Sequence, residues 1–97
     1  MDKQAVLKRL TDCMEEIRQR FSVKALAIFG SIARDEAAQD SDIDVLVVFE
    51  HKAGFDLFMD LKFYLEELLA ARVDLVNDKA LRPQVRRAIE QEMILVA

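Results

Sequence analysis

The sequence predicts a small α/β (α+β) fold, a mixed β-sheet of three to four strands flanked by helices. Three observations lead there. Apolar residues recur at helical spacing over residues 3–20 and again from Leu57 to Leu69. Short apolar runs of strand length lie at 25–29, 43–49 and 73–76, bounded by glycine or polar residues. The chain has 97 residues, 53% hydrophobic and 33% charged, with 2 Gly and 1 Pro, which fits one compact domain over 1–97 and not a disordered tail. A domain of this size buries only about 60–65% of its unfolded surface, so support from a partner or from self-association is expected.

The elements follow in order. Val6, Leu7, Leu10, Cys13, Met14, Ile17 and Phe21 form the apolar stripe of a first helix, and Asp2 suits its N-cap. Cys13 lies in that stripe and reads as a small core residue. Ala25-Leu26-Ala27-Ile28-Phe29 stops at Gly30, as a buried strand would. Ser31 opens a short helix to about Ala38, and Gln39-Asp40-Ser41 is a polar turn. Ile43 to Phe49 is the clearest strand, rich in β-branched residues. His51-Lys52-Ala53-Gly54 is a loop, and Asp56 caps the helix that carries Leu61, Leu65, Leu68 and Leu69. Val73-Asp74-Leu75-Val76 is a third strand. Pro83 suits the first turn of a last helix over residues 82–91. Met93 to Val96 fits a final edge strand or an interface segment.

Charge and composition narrow the function. Fourteen Lys and Arg against 18 Asp and Glu leave a formal net charge of −4. Duplex binding is driven by basic side chains on phosphates, so direct DNA binding is not expected. No run of about 18 apolar residues is present, so no membrane span is expected. Met1-Asp2-Lys3-Gln4 lacks the basic and apolar start of a signal peptide. With a single cysteine there is no internal disulfide, and a cytoplasmic protein is the simplest expectation.

Three features carry chemistry. Gly30-Ser31 stands at a strand-to-helix junction, where a glycine lets backbone approach a ligand and a helix start favours an anion. A turn glycine beside a capping serine fits the same residues. Asp42 and Asp44 are two apart, so a strand places both carboxylates on one face. Mg²⁺, with its preference for oxygen ligands, would relieve their repulsion; a solvated strand start is the other reading. Asp74 stands in an otherwise apolar run, which is costly without a partner or cation, unless it sits at a strand end facing water. If its strand neighbours that of Asp44, three carboxylates converge, enough for two Mg²⁺ ions.

The ordered string Gly30-Ser31-Ile32-Ala33-Arg34, then Ser41-Asp42-Ile43-Asp44-Val45-Leu46-Val47, then Asp74, resembles the signature of the DNA polymerase β-like nucleotidyltransferases. Within that superfamily it looks like the minimal nucleotidyltransferase (MNT) domains, over nearly the whole chain. The resemblance implies the nucleotidyltransferase fold, with Gly30 and Ser31 on the nucleotide triphosphate and Arg34 on a phosphate or a partner. It implies that Asp42, Asp44 and Asp74 bind two Mg²⁺ ions, with Asp74 nearer the acceptor and helping to deprotonate its hydroxyl. The family often has glycine after the Ala-Arg pair; Asp35 stands there here, so a more regular helix and an added negative charge are expected.

MNT proteins of this size resemble antitoxins encoded beside HEPN-type RNase toxins. By that resemblance the chain transfers AMP from ATP to a tyrosine of the toxin within a hetero-oligomer; the alternative is an antitoxin that neutralises by binding alone. The short chain leaves little surface for selecting an acceptor, which is expected to arrive as a folded partner. Phe29, Phe49, Phe55, Phe58 and Phe63 are read as core or interface, Tyr64 as packing through its ring, and His51 as a solvated loop residue. Arg82, Arg86 and Arg87 form a solvated face or meet an acidic partner.

Overall fold

A computed structural model describes residues 1–96. Helices α1 (Lys3–Asp12) and α2 (Met14–Phe21) lead into strand β1 (Val23–Phe29) and the one-turn helix α3 (Gly30–Ala33). Strand β2 (Ile43–Phe49), helix α4 (Phe55–Leu69), strand β3 (Val73–Asn77), a 3₁₀ turn (Asp78–Ala80), helix α5 (Pro83–Glu90) and strand β4 (Ile94–Leu95) complete the order.

The four strands form one mixed sheet in the order β3-β2-β1-β4. β1 runs antiparallel to both β2 and β4, whereas β2 and β3 are parallel. The parallel pair needs a long crossover, and α4 supplies it. Alternation along the strands sorts side chains to two faces. Leu26, Ile28, Val45 and Val47 pack with Val6, Leu10, Ile17, Leu61 and Leu65 of α1, α2 and α4 in the main core. On the other face Ala27 and Leu46 meet Ile89 of α5, with Phe29, Val76 and Met93 around them. That second layer is thin, which leaves the ends of β2 and β3 on this face free to carry charge.

Several expectations are corrected. The first helix is two: at Cys13 the backbone leaves helical geometry, and its N–H reaches the carbonyls of Arg9 and Thr11. Thr11 and Asp12, poor helix formers, precede the break. The helix after Gly30 ends at Ala33 instead of near Ala38. Asp35 is the reason, and the regular helix expected from it does not form: its φ of 58° is the left-handed conformation a glycine would take. Lys3 holds the Asp35 carboxylate at 3.0 Å. The cap of α4 is Gly54, with Asp56 inside the first turn.

Cys13 packs at the core margin, and Tyr64 stacks on Phe21 with ring centroids 5.2 Å apart. Phe49 is buried, but Phe55 and Phe63 are 76% and 56% exposed. Arg86 is not simply solvated: it donates to the buried Asp78 at 2.6 Å and ties α5 to the turn after β3.

Candidate active site

β1 ends where β2 begins, so Phe29 pairs with Asp44. Gly30 follows with φ of 70°, and a Cβ at that position would run into the Asp44 carboxylate. Conformation and space both demand glycine here, and the chain has one. Ser31 follows on the same turn, half-buried at the opening of α3.

The parallel pairing of β2 with β3 sets Asp44 directly against Asp74. Both lie on the face shared by Leu46 and Val76. Burial, and then the neighbouring Asp74 carboxylate within hydrogen-bonding reach, push the Asp44 carboxyl up from 3.8 to about 6. Asp42 adds to the repulsion and Arg34 opposes it.

The third carboxylate does not close on this pair. The Asp42 carboxylate accepts from Arg72 Nε at 2.9 Å, and Arg72 also donates to the Asp40 carbonyl at 3.1 Å. Among the described residues no three His, Cys, Asp or Glu side chains are gathered tightly enough to hold a metal. The expected convergence is thus a pair with Asp42 drawn aside, because like charges repel and Arg72 offers Asp42 a partner. The donors still fit Mg²⁺, which commonly takes one or two carboxylates together with substrate phosphates. A half-buried carboxylate pressed against another carboxylate is a group that such a cation would relieve.

Arg34 is committed within the chain. Its Nε donates to Glu36 at 2.8 Å and its Nη1 to Glu92 at 2.8 Å. The other Glu92 oxygen accepts the Gly30 N–H at 3.0 Å. Those two bonds keep the Glu92 carboxyl below its usual range, Arg34 contributing most. Glu92 escaped the sequence reading because it lies 62 residues from Gly30 and carries no local pattern. A groove of about 790 Å³ between α2 and α4, lined by Arg20, Phe21, Leu57, Phe63 and Tyr64 among others, includes none of these residues.

No helix is long and apolar enough to cross a membrane among the described residues. Comparison with known proteins agrees with the fold. The profile of the nucleotidyltransferase domain matches residues 10–96. The protein adenylyltransferase MntA of Thermococcus cleftensis is 41% identical over 87 residues, 90% of this chain and 88% of that protein. A solved structure named as a minimal nucleotidyltransferase superposes with a TM-score of 0.82 at 36% identity, covering 97% of this chain and 95% of that one. The complex of tri-AMPylated Shewanella oneidensis HEPN toxin with MNT antitoxin shares the fold, with a TM-score of 0.68 at 15% identity over 94% of this chain and 71% of that one. With that family model over residues 10–96 and a relative 41% identical over 90% of its length, the chain belongs to the nucleotidyltransferase domain family.

Proposed function

We propose that this chain is a protein adenylyltransferase that moves AMP from ATP to a tyrosine hydroxyl of a HEPN-type RNase toxin, and so acts as its antitoxin. The observation that carries the reading is Asp44 set against Asp74 beside a glycine whose positive φ and missing Cβ leave room for the Asp44 carboxylate. The name of the Thermococcus relative and the AMPylated toxin of the Shewanella complex support the substrate and the partner.

In this reading Gly30 and Ser31 receive the triphosphate, and Arg34 lies at its margin. Asp44 and Asp74 would hold Mg²⁺, and Asp42, once free of Arg72, would add the third carboxylate of a site for two ions. Bound there, Mg²⁺ supplies charge neutralisation for the phosphates and the departing pyrophosphate. Asp74 takes the proton of the acceptor hydroxyl. The acceptor oxygen bonds to the α-phosphorus, and the bond from that phosphorus to the bridging oxygen breaks. Pyrophosphate leaves, and AMP stays on the tyrosine.

Neutralisation by binding alone is the second reading. One observation favours it: Arg72 engages Asp42, and Glu36 and Glu92 engage Arg34, so neither group is free for a nucleotide. One experiment separates the two. The protein is mixed with the proposed HEPN-type toxin, Mg²⁺ and ATP, and the partner is weighed intact. Added AMP that disappears with Asp42→Asn/Asp44→Asn is the expected result. A partner that is silenced yet unmodified would leave binding as the function.

A further inference from the structure

Glu92 joins the C-terminal segment to the glycine turn through both of its oxygens. Oε1 accepts the Gly30 N–H at 3.0 Å and Oε2 accepts from Arg34 Nη1 at 2.8 Å. Its own backbone is anchored, the Glu92 N–H donating to the Ile89 carbonyl at 3.0 Å, and Ile89 is buried against the sheet. The carboxylate therefore hangs from a fixed point. It meets a peptide with little room beside it, since the Asp44 carboxylate occupies the space that a Cβ on Gly30 would take. With Asp44 filling the space beside its Cα and Glu92 accepting its N–H, Gly30 presents one orientation of the Phe29–Gly30 peptide. Ser31 is the next residue on that turn.

We infer that Glu92 is a positioning residue for nucleotide binding: it fixes the Gly30-Ser31 turn that receives the phosphates and keeps Arg34 at the margin of that turn. The inference rests on the nucleotide site proposed above. Glu92 acts through Gly30 and Arg34 and does not itself touch the nucleotide. A charge-assisted hydrogen bond to a backbone N–H and a second to a guanidinium are both strong and directional. Losing them frees the turn to adopt geometries that hold phosphate poorly. Electrostatics works in the opposite direction, because an anion near a triphosphate repels it. The sign of the change in affinity therefore decides between orientation and repulsion.

The test is calorimetric titration of ATP with Mg²⁺ into the full chain and into Glu92→Ala and Glu92→Gln, each checked for folding by thermal melting. Glutamine keeps an acceptor for the Gly30 N–H but loses the charge on Arg34. Expected is a Kd for ATP raised about tenfold by Glu92→Ala and only two- to threefold by Glu92→Gln. A purely architectural Glu92 would lower the melting temperature and leave the Kd of the folded protein unchanged; that result, or tighter binding, overturns the inference. Should Glu92→Ala not fold, Glu92→Gln decides alone: weaker binding supports the inference, and equal or tighter binding overturns it. Wild-type protein that binds no ATP would remove the site itself, and this inference with it, whereas wild-type binding matched by both variants removes only the role of Glu92.

Discussion

Asp44 and Asp74 stand directly opposite each other in the parallel pairing of β2 and β3. Two carboxylates at that spacing destabilise the fold that holds them. The folded pKa of Asp44, about 6, lies above its ordinary 3.8. The folded state thus binds the proton more tightly than the unfolded chain. The contribution of Asp44 is favourable at low pH and is lost as pH rises from about 4 through about 6. Asp44→Asn is expected to melt roughly 3–6 °C above wild type near pH 7.5, with the gap closing below about pH 5. Adenylyl transfer should vanish in the same variant. Melting curves across pH check the first claim; equal melting temperatures near pH 7.5 would refute it.

Gly30→Ala meets two penalties at once, a φ of 70° and the Asp44 carboxylate in the space of the new Cβ. The expected cost is about 2–4 kcal/mol, measurable by urea denaturation. The companion Gly54→Ala, at a position with nothing near its would-be Cβ and an ordinary φ, should stay within about 1 kcal/mol of wild type.

Arg72 and Asp42 pair on the surface, so Arg72→Ala is expected to change stability by no more than about 1 kcal/mol. Its effect on function should be larger. With Asp42 released, half-maximal ATP binding should need roughly two- to fivefold less Mg²⁺. Titration of Mg²⁺ at fixed ATP checks this, and an unchanged midpoint would show that Arg72 does not restrain Asp42.

Asp78 is buried and its carboxylate meets Arg86 at 2.6 Å. Arg86→Ala strands that carboxylate and is expected to cost about 2–3 kcal/mol. The double variant Asp78→Ala/Arg86→Ala should cost less than Arg86→Ala alone, since no uncompensated charge remains. Chemical denaturation of the three proteins tests the order.

Much of this architecture is written locally in the chain. β2 is legible because Ile43 to Phe49 is dense in branched residues, and α4 because its leucines keep helical spacing. Gly30, Ser31, Asp42, Asp44 and Asp74 are visible as residues out of keeping with their surroundings, a glycine ending a strand and carboxylates in apolar runs. What the sequence hides is partnership. That Asp42 turns to Arg72, 30 residues away, depends on where α4 delivers the start of β3. That Glu92 reaches Gly30 depends on how α5 packs its Ile89 on the sheet. The early end of α3 was hidden for a different reason: a backbone angle is set by Asp35, a residue type that tolerates positive φ only sometimes.

The strand order has a consequence for motion. β2 is an interior strand, bonded to β1 on one side and β3 on the other, whereas β3 is an edge bonded to β2 alone. Asp44 therefore rides on backbone held from both sides and Asp74 on backbone held from one. Local opening of a sheet begins at such edges. Amide hydrogens of β3 should exchange with solvent sooner than those of β2. In the proposed mechanism the acceptor-side carboxylate, Asp74, thus rides on the looser strand, while Asp44 stays against the glycine turn.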